Sequence, residues 1–221
     1  PCISGKDSMK NDAKLDGKKI SIPPTLLYTL LGDHQDVRKA VSSDFKEKGD
    51  IIYLLGETHQ ELGASELNFM LSEETGGGIG NDVPQIDTTR NLSLYRALTS
   101  AMEAELVRSA HDCSDGGLAT AIAECCFGCN GGTTINLDGI GDVDNWAALF
   151  GESLGRIVVT ISPENADRFD TMMANHCTVK LGQVDNKTNL KFKRNGVEVL
   201  TAKLADLRDS WKETLHMGGG A

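Results

Sequence analysis

The chain of 221 residues is 39% hydrophobic and carries 22 basic against 32 acidic side chains, a formal net charge of −10. That length holds one large domain, or one domain with a piece of another, and can bury a core without covalent staples. The acidic balance excludes a general affinity for nucleic acid polymers or anionic membranes, although a local basic pocket could still take phosphate.

In chain order, residues 19–31 are rich in β-branched and apolar side chains and are broken by Pro23-Pro24, which predicts a strand near an edge or bulge. The charged stretch 33–48 turns at Gly49-Asp50 into the apolar run 51–56, a predicted buried strand, with a domain boundary near 45–49. Ser65-Glu66 suits a helix start. Residues 72–82, with Gly76, Gly77, Gly78 and Gly80, predict a flexible loop, followed over 88–109 by an amphipathic helix through Leu92, Tyr95, Leu98, Met102 and Leu106. A helix from Gly117 places Leu118, Ile122, Cys125 and Cys126 near one face. Then come a strand at 133–137, a short helix at 144–150, a strand at 156–161 and a helix from Pro163 through Ala174. Strands at 178–184, 189–193 and 196–201 follow, the last two joined by an Asn195-Gly196 hairpin turn, then a helix at 203–215 and a glycine tail at 216–221. The order predicts an α/β (α+β) class, a layered mixed sheet with helices.

The apolar runs 51–56 and 157–161 are far too short to span a bilayer, and no signal-peptide pattern is visible, so the chain reads as cytoplasmic. Six cysteines do not make a disulfide scaffold here. Cys125, Cys126 and Cys129 lie close together, but a closed zinc site needs four ligands, and packing in the core accounts for them better.

The densest chemistry lies in His111-Asp112-Cys113-Ser114-Asp115-Gly116-Gly117-Leu118. Carboxylate oxygens are the hard ligands Mg²⁺ prefers, glycines let backbone N–H groups approach anionic oxygens, and the following helix start adds a favourable dipole. The plainer reading is an N-cap at Ser114 or Asp115 with the glycines in a turn, which leaves His111 and Asp112 without a purpose. His111 could hydrogen-bond Asp112 or a phosphate, or pack at a strand end. His34, His59, His176 and His216 have no partners at ligand spacing and are read as surface or core residues.

Four elements occur in a telling order: Gly5-Lys6-Asp7-Ser8-Met9; Ile52-Tyr53-Leu54-Leu55-Gly56-Glu57 with Glu61-Leu62-Gly63-Ala64-Ser65-Glu66-Leu67; the His111–Leu118 segment; and Gly151-Glu152-Ser153-Leu154-Gly155-Arg156. In this order the chain resembles the phosphoribosylformylglycinamidine synthase family, within the aminoimidazole ribonucleotide synthetase superfamily. The Gly5–Met9 motif looks like the second of the two homologous halves in the long form. The resemblance implies a purine-biosynthesis ligase that converts formylglycinamide ribonucleotide, ATP and glutamine to formylglycinamidine ribonucleotide. In that family's reaction, which the resemblance carries over as an expectation, the substrate amide oxygen would be phosphorylated by ATP and ammonia from a glutaminase domain would then displace phosphate.

It further implies that the chain is a fragment. Residues 1–45 would be the tail of the preceding N-terminal synthetase subdomain, and 46–215 the C-terminal synthetase-like domain of the second half. The partners are then the missing first synthetase half, the glutaminase domain and a small-molecule nucleotide, with self-association into a homodimer through an orphaned surface left open. The implied cofactors are Mg²⁺ and ATP or ADP. By family position Asp112 is the Mg²⁺ ligand of an auxiliary nucleotide site and Ser114 contacts that nucleotide, while Gly5 touches nucleotide and Ser8 the substrate. Lys6 stands where the short form has a metal-supporting Asn, and an ammonium cannot ligate Mg²⁺. No catalytic residue is assigned, and the fragment alone is expected to be inactive.

Glu152 and Arg156, at i and i+4, either form an ordinary ion pair or belong to the substrate-contacting motif of the family. Two alternatives remain: a non-catalytic Mg-nucleotide-binding and structural module, or another member of the same ATP-binding superfamily, such as aminoimidazole ribonucleotide synthetase itself, thiamine-monophosphate kinase or selenophosphate synthetase.

Overall fold

The structure, a computed structural model, describes residues 5, 12–21, 27–34, 36–129 and 131–213. The chain forms two compact units, residues 1–37 and 38–221. In the first, β1 (Ala13–Leu15) pairs antiparallel with β2 (Lys18–Ile20) through a turn at Asp16 and Gly17, both with positive φ, which matches the twist of paired strands. The strand expected over 19–31 is corrected: β2 ends at Ile20, and residues 27–34 have no regular structure. β2 is exposed throughout and Leu27, Leu30 and Leu31 are nearly fully so, so among the described residues no apolar face is buried to hold a longer strand. Residues 22–26, with both prolines, lie outside the described residues.

The second unit is built on β3 (Ile51–Leu55), β4 (Val107–Asp112), β6 (Ile157–Ile161) and β7 (Thr178–Gln183), in the order β4-β6-β3-β7 with every neighbour antiparallel. Strand alternation divides its side chains between two cores. Ile52, Leu54, Val158 and Leu181 pack on one face with α3 (Gly117–Cys129) and α4 (Asn145–Phe150), and with a smaller sheet. Tyr53, Leu55, Val159 and Ile161 pack on the other with α2 (Thr88–Glu103) and α5 (Ala166–Met172). The smaller sheet runs β5-β8-β9, from β5 (Thr134–Asn136), β8 (Asn189–Arg194) and β9 (Val197–Lys203), parallel at β5–β8 and antiparallel at β8–β9. α6 (Leu204–Glu213) follows it, and α1 (Glu66–Thr75) lies between β3 and α2 in sequence. The predicted class, a layered mixture of sheet and helix, is the one observed.

Two further corrections concern local structure. The helix expected over 88–109 stops at Glu103, and residues 107–112 are strand β4. The Glu105 N–H bonds to Met102 O and the Leu106 N–H to Ala101 O, the paired bonds of a Schellman ending, with Glu105 at φ +58° in the position glycine usually takes. After that stop the buried residues Val107 and Ser109 alternate, a period of two hidden behind the helical pattern that precedes it. The loop expected over 72–82 begins later, because α1 runs through Thr75 and ends on Gly76 at φ +69°. The glycine tail lies outside the described residues.

Candidate functional site

Because β4 and β6 are antiparallel, with Asp112 opposite Ile157, the end of β4 lies beside the segment 151–156 that leads into β6. Cys113 N–H donates to Arg156 O at 2.9 Å and locks the junction. Beyond it the chain turns through Ser114–Gly116 into α3. Gly116 and Gly117 sit at φ +77° and +65°, and a Cβ on Gly117 would lie 2.4 Å from Gly151 O. Here glycine is required both by the backbone angle and by the close approach of the α4 C-terminus.

Asp112 and Ser114 come together at this turn. The Ser114 hydroxyl donates to Asp112 Oδ2 and holds that carboxyl below its ordinary range, outweighing partial burial, with His111 acting in the same direction. The Asp112 side chain is 70% exposed, and His111 Nδ1 lies 3.5 Å from its Oδ1. His111 Nε2 is 2.7 Å from Glu124 Oε2 on α3, so the imidazole bridges two carboxylates. Asp112, Ser114 and Asp115 open onto a cavity of about 750 Å³ walled by Tyr95, Glu152 and Arg156.

The 151–156 segment does not hold the ion pair that its spacing suggested. Glu152 Oε1 instead accepts two backbone N–H groups, from Gly116 and from Glu66 at the start of α1, each at 2.9 Å. Of the acidic residues around the turn, Glu152 rather than Asp115 satisfies the N–H ahead of α3. Arg156 is 1% exposed and donates to Ser153 O (3.2 Å), Gly151 O and Thr58 Oγ1 (3.2 Å). Burial pushes its guanidinium below the ordinary value, partly offset by Cys113, Glu61 and Glu152. His59 N–H donates to Ser153 Oγ at 3.0 Å. The segment thus fastens the Asp112 turn to the loop after β3.

Ser65 is the N-cap of α1, accepting from Asn68 N–H. Cys113, Cys125 and Cys126 are buried; burial pushes the Cys113 thiol up to about 11 and the other two higher still, as packed core thiols rather than reactive ones. Gly5 is exposed, and Ser8 lies outside the described residues along with Lys6 and Asp7. Glu124 and the double acceptor role of Glu152 were not legible in the sequence. Glu124 is separated from His111 by a strand end, a turn and two helical turns, and no spacing rule covers that.

Among the described residues no three His, Cys, Asp or Glu side chains converge as a ready-made metal cage. What Asp112 and Ser114 offer is an exposed carboxylate, held ionised, beside a hydroxyl, with Asp115 on the same cavity. That donor set fits Mg²⁺ carried on phosphate oxygens and water, not a cation enclosed by protein alone.

Residues 47–195 match the family of AIR synthase related proteins, C-terminal domain, and the chain belongs to that family. The match runs from just before β3 through β8 and so includes the whole of the Asp112 turn and the 151–156 segment. Among solved structures, the chain is similar to Thermotoga maritima PurL complexed with FGAR, with 22% identity and a TM-score of 0.67 over 77% of this chain and 29% of that one. Phosphoribosylformylglycinamidine synthase II from Thermotoga maritima matches with 21% identity and a TM-score of 0.62, over 75% and 27%. E. coli HypE, a hydrogenase maturation protein, matches with 19% identity and a TM-score of 0.54, over 75% and 52%. The chain spans under a third of the length of the first two and about half of the third.

Proposed function

We propose that the chain is the C-terminal synthetase-like domain from the second half of a formylglycinamidine ribonucleotide synthase, and that its own contribution is an auxiliary Mg-nucleotide site. The observation that carries this reading is the Asp112–Ser114 pair: a carboxylate kept ionised by a hydroxyl two residues on, exposed at the mouth of a cavity, at the junction between β4 and α3. Support comes from family membership and from PurL of T. maritima having been described with ATP, ADP and AMPPCP. Asp112 would supply one oxygen ligand to Mg²⁺, and phosphate oxygens and water the rest. The bound cation would neutralise phosphate charge in an acidic neighbourhood. Ser114 orients Asp112 in the absence of ligand and would offer its hydroxyl to the nucleotide. Gly5 and Ser8 would serve nucleotide and substrate in the complete enzyme, together with the first synthetase half, and ammonia would come from a glutaminase. The isolated chain is proposed to be inactive by itself.

Isothermal titration of the protein with Mg-ADP tests the site. Binding by the parent that is lost in Asp112→Ala supports it, while unchanged binding by the variant removes Asp112 as a ligand. Formation of formylglycinamidine ribonucleotide from ATP and ammonia by this chain alone would overturn the proposed inactivity. The likeness to HypE favours a second reading, another member of the same superfamily. Retained Mg-ADP binding with no gain of synthase activity on adding the first half would favour it.

A further inference from the structure

Resting on the reading of Asp112 and Ser114 as a nucleotide site, we infer that Glu152 is its positioning residue and sets its selectivity: it occupies the amides a phosphate would use, leaving a cation on Asp112 as the way in for polyphosphate. A phosphate at a helix start is held by converging backbone N–H groups. At this turn the Gly116 N–H and the Glu66 N–H converge, but on one carboxylate oxygen of Glu152, 2.9 Å from each. The position is held from several sides. Gly151 accepts from Arg156 of the same segment and lies against Gly117, and Ser153 accepts from His59 N–H, so the residues flanking Glu152 are fixed to two other segments, the start of α3 and the loop after β3.

Two consequences follow from this geometry. The single oxygen ties the Asp112–Gly116 turn to the start of α1, so the carboxylate of Asp112 is presented on a clamped backbone. Negative charge also accumulates where a bare phosphate would approach: Asp112, Asp115 and Glu152 line the same cavity. Among the described residues that line it, the one guanidinium, Arg156, directs its donors to Gly151 O, Ser153 O and Thr58 Oγ1. A free polyphosphate is therefore repelled, and a metal-complexed one is admitted through Asp112.

Glu152→Gln separates the two roles, since its amide oxygen still accepts both N–H groups but carries no charge. Glu152→Ala removes both. Calorimetry with ADP plus Mg²⁺, and with ADP plus a chelator, is run on the parent and both variants, and amide hydrogen exchange is followed by NMR at Gly116 and Glu66. The parent is expected to prefer the Mg²⁺ complex. In Glu152→Gln that preference should shrink by about threefold to tenfold, mainly through a gain for metal-free ADP, as loss of one nearby charge implies. Exchange at both amides should stay slow in Glu152→Gln and accelerate together in Glu152→Ala. An unchanged preference in Glu152→Gln, or exchange at Gly116 and Glu66 that does not respond together in Glu152→Ala, would overturn the role of Glu152. Loss of Mg-ADP binding in Asp112→Ala with an unchanged preference in Glu152→Gln keeps the nucleotide site and sinks this inference alone. A parent that binds neither form of ADP removes both.

Discussion

Gly117→Ala is the sharpest single test of how the Asp112 turn is built. The new Cβ would meet Gly151 O at 2.4 Å, Phe150 C at 2.9 Å and Leu149 O at 3.0 Å, all backbone atoms at the end of α4, so no side chain can swing aside. The residue also sits at φ +65°, which costs a residue with a Cβ about 1–2 kcal/mol. Forcing the α4 end and the α3 start apart adds an overpacking cost of about 1–3 kcal/mol. The sum, about 2–5 kcal/mol, corresponds to a fall in Tm of roughly 4–20 °C for a domain of this size. Gly196→Ala is the control, at φ +76° with open space around it, so it carries the backbone cost without the clash. Chemical denaturation of both variants gives the two values, and their difference isolates the contact with Gly151. If Gly117→Ala costs no more than Gly196→Ala, the close approach of α3 to α4 is not what requires glycine, and the account of the turn fails.

Three further outcomes follow from buried polar groups. Ser109 Oγ and Thr160 Oγ1, both buried, lie 2.5 Å apart across β4 and β6. Thr160→Val should cost about 1–3 kcal/mol by stranding the Ser109 hydroxyl, and adding Ser109→Ala should recover part of that loss in a double-mutant cycle. Tyr53 donates to Asp170 Oδ1 at 2.9 Å, and burial first, then Asp170, pushes its phenol up to about 12. A spectrophotometric titration should contain a phenol step near 12, and Tyr53→Phe should abolish that step. Burial raises the Asp50 carboxyl above its ordinary 3.8, against the pull of Arg108. A carboxyl raised by folding favours the native state below pH 3.8, and this contribution is lost as pH rises through the native value. The stability of the parent relative to Asp50→Asn should therefore fall across that interval, and a relative rise would contradict the sign.

The legible parts of the sequence were those whose signal is local. Ile51–Leu55 and Ile157–Ile161 are short apolar β-branched runs bounded by glycine or a turn, and both are central strands. The short helix expected at 144–150 is α4, which begins one residue later because Asp144 is its N-cap and accepts from Ala147 N–H. Strand β4 was hidden because its helix-terminating residue is Glu105, a side chain with no preference for the left-handed region, so nothing marked the change from helical to alternating period. The long strand expected over 19–31 followed from β-branched and apolar composition alone, and Leu27, Leu30 and Leu31 are exposed rather than packed. The site shows the same division. Asp112 and Ser114 are neighbours in sequence and their contact is local, whereas Glu152 reaches Gly116 and Glu66 across 36 and 86 residues.

The spacing of Glu152 and Arg156 illustrates why a local pairing rule failed. An i, i+4 ion pair presumes a helix, and α4 has already ended at Phe150, so the two side chains diverge where the chain extends into β6. Each then finds the unpaired backbone groups that such a break creates. Glu152 takes N–H groups at the starts of two helices, and Arg156 takes the carbonyls of Gly151 and Ser153 behind it. The two charges are worth more apart, because an anion belongs at a helix start and a guanidinium can satisfy several carbonyls at once. Arg156→Lys should expose that arrangement. One ammonium cannot reproduce the fork that spans Gly151 O, Ser153 O and Thr58 Oγ1, so a cost of about 1–3 kcal/mol is expected despite the conserved charge. Denaturation that leaves Arg156→Lys as stable as the parent would mean that charge alone, not the fork, holds the segment.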